Sequence, residues 1–563
     1  MKTETLTFDV IVVGAGPAGL ATAHHVRTLS QAHGLDLSVC LLDKAARIGG
    51  HLLSGALLDP RILTTLIPDW ATPQPDNRPP LGPAPLDSPV LDESLWFLTH
   101  RRAHALPLPK AWRHDQSGLG CHMVSLGTLC RWLAHRAEQQ GVEIFPGFAA
   151  VAPVWEGDQL VGIISGDQGR DHTGQPKPGF QPGVILRAPI TVLAEGCRGS
   201  LSGTIIRQLG LDRTDLPGQR RSPQRYALGF KELWETPGSP PGAVLHTLGW
   251  PLEEPGQHRH GGGFLYQPRP NRTVLGMVID LDYTDPRFDP FMAAQQWKSH
   301  PLIRPRLQSA RLLGYGARTL AIGGWQSLPQ LAFAGGLLVG DAAGLLNTAT
   351  LQGIGNALAS GILAAETIIT AFASQDFSAH TLHRYTEAVR QSSWGRALHA
   401  VRNIRPGFRA GLWPGLLHAL WEKGVGGRSP WTLHWRQTDR ERLHPVDPLA
   451  KPLPPPRLVH PLLDRATALA GSGLHYTANQ PAHLHWRDPL LPPTAGYTRF
   501  DNPELRFCPA GVFTRHTRSD GKIFLQMHAN HCLHCKCCDI KDPLDNVCWT
   551  APEGGSGPDY QEM

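Results

Sequence analysis

Phe8-Asp9-Val10-Ile11-Val12-Val13-Gly14-Ala15-Gly16-Pro17-Ala18-Gly19 opens this chain almost at once. Residues 8–13 read as a buried parallel strand, and the glycines that follow form a G-x-G-x-x-G turn leading into a helix that runs to about Leu29. Gly14 allows the tight turn, Gly16 lets backbone approach a pyrophosphate, and Gly19 lets helix and strand pack closely. A second strand, Leu37–Leu42, ends in Asp43, an acid placed to accept hydrogen bonds from a ribose. The Gly14-to-Asp43 spacing is longer than usual because residues 31–36 extend the connection. Strand, glycine turn, helix and acid together point to a dinucleotide site rather than an empty glycine turn.

Three later segments favour FAD over NAD. Lys44–Gly50 supplies a flexible glycine pair just after the acid. Ile190–Gly196 reads as a strand returning beside the cofactor. Gly335–Gly344 reads as a strand that ends in Gly340-Asp341. In the large flavoprotein group that this pattern resembles, that Asp binds the ribityl chain or the pyrophosphate side of FAD. Gln352-Gly353-Ile354-Gly355-Asn356 then opens a helix to about Thr370, and the free N–H groups at its start face the flavin N1–C2=O edge. Gly353 and Gly355 therefore join Gly340 and Asp341 as cofactor-binding candidates.

The other decisive stretch is His531-Cys532-Leu533-His534-Cys535-Lys536-Cys537-Cys538. Four cysteines are scattered over the first 500 residues and six crowd the last 56, which favours a reduced compartment and a metal site over a disulfide scaffold. Cys532, Cys535 and Cys538 make C-x-x-C-x-x-C, the loop that wraps one iron–sulfur cluster. Cys508, followed by Pro509, is the first candidate for the fourth ligand; Cys548 is its rival, and Cys537 is the weakest. Structural zinc stays open as an alternative, although it favours paired C-x-x-C units set further apart.

At 563 residues the chain needs several domains. Its 41% apolar and 18% charged content is globular. A formal charge of +6 suits an acidic protein partner or an anionic membrane surface, and is too weak and dispersed for nucleic acid. No run of 18 apolar residues is seen, so no membrane-spanning helix is expected. A strand starting at Phe8 leaves no room for a leader, so the chain is expected to start in the cytoplasm or to have lost a leader.

Beyond these motifs, the chain resembles the electron-transfer flavoprotein–ubiquinone oxidoreductase family over nearly its whole length. The resemblance rests on IGGHLLSGALLD (48–59), GFKELW (229–234), GWPL (249–252), GGGFLY (261–266), YGARTL (315–320), GGWQSLPQL (323–331), VRNIRP (401–406), DNPELRFCPAGV (501–512) and residues 532–558. It implies an electron-transferring-flavoprotein dehydrogenase. Such an enzyme takes electrons from reduced electron-transfer flavoprotein and passes them through a 4Fe-4S cluster and FAD to ubiquinone. The matching positions are Cys508, Cys532, Cys535 and Cys538 for the cluster. Gly14, Gly16, Gly19, Asp43, Gly340 and Asp341 match for FAD, and Gly261 and Gly262 for the quinone. Glycines there offer backbone N–H groups to a quinone carbonyl; a plain glycine-rich strand edge is the alternative.

The family sits in one leaflet without spanning. Here Leu412, Trp413, Leu416, Leu417, Leu420 and Trp421 are expected on one apolar helical face, flanked by Arg402, Arg405, Arg409, Lys423 and Arg428 at headgroup level. His104–Trp112 is a second candidate. The expected location is the cytoplasmic face of the inner membrane, peripheral or monotopic, or the cytoplasm. The chain departs from the family after Asn347, where residues 348–355 carry no charge and no histidine; this predicts a lowered flavin potential.

The expected architecture is α/β: a discontinuous Rossmann-like FAD domain (1–95, 135–205 and 310–395), a mixed α/β quinone-binding insertion (206–309), a helical and proline-rich region (396–490), and a ferredoxin-like iron–sulfur domain (491–563). Two other functions fit the same cofactors: a flavin reductase of an isoprenoid lipid, and a non-enzymatic electron relay. His51 and Glu195 are read as packing residues rather than proton donors.

Overall fold

A computed structural model describes residues 4–53, 57–72, 82–108, 120–213, 221–253, 259–446 and 461–563. Val10–Val13 is buried along its length, as a strand covered on both faces must be. It lies inside a six-stranded sheet in the order 332–333, 336–338, 190–193, 10–13, 39–43, 142–146. All pairings are parallel except the first. The helices Pro17–Ala32, Leu126–Gln139 and Ile354–Ser374 pack over it, and both of the others contact Pro17–Ala32. A parallel sheet of this kind leaves the carboxyl ends of its strands open as a crevice.

Ile354–Ser374 has the length and mean hydropathy to cross a membrane, but 67% of its apolar stretch is buried inside the protein. It is a core helix against Pro17–Ala32: the missing Cβ of Gly361 lets the backbone at Ala18 come close, 2.5 Å from where that atom would stand.

A second, seven-stranded sheet runs 311–321, 226–235, 272–280, 261–269, 243–249, 92–98, 103–106, antiparallel except where 243–249 meets 92–98. Its membership cuts across two expected boundaries. Strands Asp92–Leu98 and Arg311–Ala321 begin in segments expected to belong to the nucleotide fold, yet they pair in this sheet. Nothing in their residue pattern says which sheet accepts them. The helix Pro290–Lys298 covers one face, burying Phe291 and Trp297. Beneath it Lys298 Nζ donates to both carboxylate oxygens of Glu232 (3.0 and 2.9 Å) and to the Pro461 carbonyl.

Beyond residue 461 two small two-stranded antiparallel sheets, 484–486 with 547–549 and 513–517 with 523–527, frame the cysteine loop. The final segment threads back through the body. Gly555 N–H donates to the Lys44 carbonyl (2.8 Å), Tyr560 N–H to the Gly50 carbonyl (2.8 Å), and Met563 is buried. The proline-rich stretch 452–456, and residues 109–112 of the second membrane candidate, lie outside the described residues.

Candidate functional site

One large cavity of about 650 Å³ opens at the carboxyl ends of the parallel strands and continues under the seven-stranded sheet. Gly14, Gly16, Asp43, Asp341 and Gly353 line its first part, and Gly261 and Gly262 line the second. Gly19 and Gly340 stand behind the wall as packing positions. A Cβ on Gly19 would lie 2.0 Å from the Gly14 carbonyl oxygen, and one on Gly340 would lie 2.8 Å from Ala18 Cβ. Gly355 is in the first turn of its helix and does not line the cavity.

The glycine turn has the geometry its motif implies. Gly14 has φ +108°, and a Cβ there would lie 2.5 Å from the Ala194 carbonyl oxygen. Gly16 has ordinary backbone geometry, and its missing Cβ would point into open space. Asp43 accepts from Ala15 N–H and Ala45 N–H, both at 2.8 Å, so it ties the glycine loop to its own strand end as well as facing the cavity. Neither Pro17–Ala32 nor Ile354–Ser374 has a side-chain N-cap, which leaves their first N–H groups for a ligand.

Burial raises the Asp341 carboxyl to about 6, against the pull of Arg318. Burial lowers Lys44 to about 7 and Lys536 to about 8; Lys536 and Arg318 add to the effect at Lys44. Both ammonium groups sit over the Trp549 ring, at 4.7 and 3.5 Å from its centroid. Lys44, Arg318 and Lys536 all face the cavity, so cationic lining comes from three distant segments although residues 348–355 carry none. A cradle of uncapped helix starts, a glycine turn and buried cations fits a dinucleotide's phosphates, and the volume suits its rings.

The cysteines converge on a separate small cavity. Cys508, Cys532, Cys535, Cys537 and Cys538 all line it, and Cys548 does not. Among the described residues the one set of three His, Cys, Asp or Glu ligand atoms lying within 4.8 Å of one another is His260, Asp280 and Asp282. No three of these sulfurs therefore lie that close. Tetrahedral zinc, with Zn–S bonds of about 2.3 Å, would need sulfurs about 3.8 Å apart; a multi-iron cluster spreads its thiolates further, and the donor set fits it. Val512 N–H and His534 N–H point at the Cys508 and Cys532 sulfurs, at 3.4 Å each, as donors for thiolate charge.

The loop's backbone turns the chain between two sites. His534 (φ 56°) and Lys536 (φ 65°) occupy the left-handed region, which disfavours non-glycine residues by about 1–2 kcal/mol each. His534 lines the large cavity, Cys532, Leu533, Cys535, Cys537 and Cys538 line the small one, and Lys536 lines both. At Lys536 a single residue separates the two cavities.

Other residues that hold this wall were given no role by the sequence reading. Thr319 Oγ–H donates to the Cys535 carbonyl (2.7 Å), and the Cys197 thiol lies 3.6 Å from Thr319 Oγ. Tyr476 O–H donates to the Cys532 carbonyl (2.6 Å). Arg198 pairs with Asp539 at 2.6 Å. Of the two expected packing residues, Glu195 accepts from Leu201 N–H and Ser202 N–H at the start of the helix Ser200–Leu209, and His51 is buried edge-on to His534.

The expected single apolar face of Leu412–Gly424 is two faces. Leu412 and Leu416 turn inward and line the large cavity, while Trp413, Leu417, Leu420 and Trp421 are exposed at 58, 69, 56 and 45%. Two of the five flanking cations are internal. Arg402 is buried and donates to the Gly427 and Ser429 carbonyls, and Arg405 pairs with Asp280. Lys423 and Arg428 are exposed, and Arg409 lies over the Trp435 ring.

The family model described as electron transfer flavoprotein-ubiquinone oxidoreductase, 4Fe-4S, matches residues 462–561. One described as ETF-QO, ubiquinone-binding, matches 226–320, and an NAD(P)-binding Rossmann-like model matches 12–77. The chain is 40% identical to the mitochondrial electron transfer flavoprotein-ubiquinone oxidoreductase of Arabidopsis thaliana, covering 100% of this chain and 85% of that one. It is likewise 40% identical to that of Homo sapiens (99% and 89% covered). It is 38% identical to a probable electron transfer flavoprotein-ubiquinone oxidoreductase of Acinetobacter baylyi, covering 100% of each. Among solved structures, a geranylgeranyl bacteriochlorophyll reductase-like protein of Thermoplasma acidophilum shares the fold, with a TM-score of 0.53 and 17% identity over 75% of this chain and 88% of that one.

Proposed function

The chain belongs to the electron transfer flavoprotein–ubiquinone oxidoreductase family, and from that premise we propose how its residues divide the work. The protein is an oxidoreductase that takes electrons from reduced electron transfer flavoprotein and delivers them to ubiquinone, with a 4Fe-4S cluster and FAD as its cofactors. When bound, the cluster supplies one-electron exchange and FAD couples single electrons to the two-electron reduction of a quinone.

Cys508, Cys532, Cys535 and Cys538 hold the cluster. Gly14, Gly16, Asp43, Asp341 and Gly353 hold the FAD, with Gly19 and Gly340 shaping the wall behind it. Gly261 and Gly262 offer backbone N–H groups where the cavity passes under the seven-stranded sheet. The observation that carries this reading is Lys536, which lines both cavities and so sets one cofactor site against the other across a single residue.

The helix Leu412–Gly424 rests on the surface of the inner membrane, at its cytoplasmic face. Its exposed Trp413, Leu417, Leu420 and Trp421 form an apolar outward face, and its inward Leu412 and Leu416 line the cavity, so a quinone can pass from lipid to Gly261 without crossing water. Phe97 packs at a tilt against Trp413, with ring centroids 5.4 Å apart, and brings the strand Asp92–Leu98 to the same side.

The test is turnover with both substrates. Anaerobically prepared protein should accept electrons from reduced electron transfer flavoprotein, and a short-chain ubiquinone should reoxidise its flavin. Reoxidation by an isoprenoid double bond, with none by the quinone, would favour a lipid reductase instead. Failure of the flavin to turn over with either would leave an electron relay.

A further inference from the structure

Reducing a quinone to a quinol takes two protons as well as two electrons, and the glycine corner of the cavity has a proton-bearing group beside it. His260 immediately precedes the strand Gly261–Arg269, and its carbonyl accepts from Asp280 N–H at 2.9 Å. Its side chain lines the same cavity as Gly261 and Gly262. Nδ1 lies 3.5 Å from Asp282 Oδ2, which leaves Nε2 as the nitrogen available to a ligand.

The carboxylates around it are already balanced. Asp280 pairs with Arg405, and Asp282 with Arg225 at 3.3 Å. Arg225 continues to Asp439 at 2.9 Å, and Lys541 Nζ donates to the Asp439 carbonyl at 2.9 Å. The positive charge of Arg409 is also felt at Asp282. His260, Asp280 and Asp282 could be taken for a metal site by proximity alone. The two arginines already neutralise both carboxylates, and that balance belongs to a hydrogen-bonded relay rather than to a cation site. Burial opposes a charge on His260, but the hydrogen bond and charge of Asp282, helped by Asp280, outweigh it and raise the imidazolium above its ordinary value, with Arg405 opposing.

The geometry points to His260 as the proton donor to the quinone, with Asp282 as the residue that positions it. The inference rests on the quinone-reductase reading above. As two electrons reach the quinone, the Nε2–H bond of the imidazolium breaks and an O–H bond forms at one carbonyl oxygen. A second proton, drawn from solvent by a separate route, completes the quinol. Solvent reprotonates His260, so electrons, protons and charge balance.

The experiment uses the holoenzyme, reduced with dithionite and mixed with a one-isoprene ubiquinone, with flavin reoxidation followed between about pH 5.5 and 9. The wild-type rate should fall as pH rises through the His260 titration. His260→Asn and His260→Gln should bind flavin and take up dithionite electrons as the wild type does. At the acid end they should reoxidise about 100-fold more slowly, with a flat profile. Asp282→Asn should keep a pH-dependent rate but move its fall to lower pH, because the imidazolium loses its partner. If both His260 variants bind flavin and keep the wild-type rate and slope, the inference is overturned while the quinone-reductase reading stands. If ubiquinone fails to reoxidise even the wild type, both fall.

Discussion

Thr319, on a strand of the second sheet, donates its hydroxyl hydrogen to the backbone carbonyl of Cys535 at 2.7 Å, and so fastens the cysteine loop to the wall of the large cavity. Thr319 itself lines that cavity, while Cys535 lines the small one. One hydrogen bond therefore spans the boundary between the two cavities.

The cysteine assignments separate by simple chemistry. Cys508→Ser should bring iron from about four atoms per chain to near zero, because a hydroxyl is a poor cluster ligand. Cys548→Ser should leave iron unchanged, since that residue does not reach the small cavity. Iron and acid-labile sulfide analysis of the two purified variants checks this.

Gly14 and Gly16 differ in what their substitution breaks. Gly14→Ala meets the Ala194 carbonyl and a left-handed φ, so it should destabilise the protein by roughly 2–4 kcal/mol even without flavin. Gly16→Ala meets no protein atom and should leave the melting temperature of the flavin-free protein unchanged while lowering flavin affinity at least about 10-fold. Thermal melts with and without flavin distinguish the two.

Asp341 should trade stability against binding. Its folded-state value, raised from 3.8 to about 6, means that its contribution to stability is present below pH 3.8 and is lost as pH rises through about 6. In flavin-free protein Asp341→Asn should therefore stabilise above about pH 6, by roughly 1–2 kcal/mol once solvent in the cavity is allowed for, and do nothing near pH 4. The same variant should lose flavin more readily. Denaturant melts at the two pH values, with a flavin-release assay, test both halves.

The Glu232–Lys298 pair lies buried beneath Pro290–Lys298, with Trp234 and Gln295 also donating to the carboxylate at 2.8 and 3.2 Å. Glu232→Gln should cost about 3–5 kcal/mol, because it leaves an unpaired buried ammonium. Adding Lys298→Met should recover much of that loss. Urea melts of the single and double variants give the coupling.

The outward face of Leu412–Gly424 should govern vesicle binding. Replacing Leu417 and Leu420 by serine should weaken binding to anionic vesicles by about 100-fold, roughly 10-fold for each leucine. Electron uptake in detergent should be unaffected, because neither residue lines the cavity. Vesicle co-sedimentation measures the change.

What could be read from the sequence follows the range of the interactions. The strand at Val10–Val13, the glycine turn and Asp43 are local patterns, and so is the cysteine spacing at 532–538. The cationic lining was not legible, because Lys44, Arg318 and Lys536 are far apart in sequence and meet only through the fold. Nor was the placing of His534 and Lys536 against the large cavity, which comes with left-handed backbone at two non-glycine residues. The helix Leu412–Gly424 was legible as apolar, but its division into an inward and an outward face needed the position of the cavity. The strand Arg311–Ala321 carries the pattern of any strand, and only the complementary register of Tyr226–Glu235 fixes its sheet.

The central claim is that cluster and flavin face each other across one residue layer. Its most direct test is microwave power saturation of the flavin radical in half-reduced protein by electron paramagnetic resonance. Fast relaxation from the neighbouring cluster should let the radical saturate only at high power, and Cys508→Ser should restore easy saturation. A radical that saturates equally in the wild type and in Cys508→Ser would contradict the account.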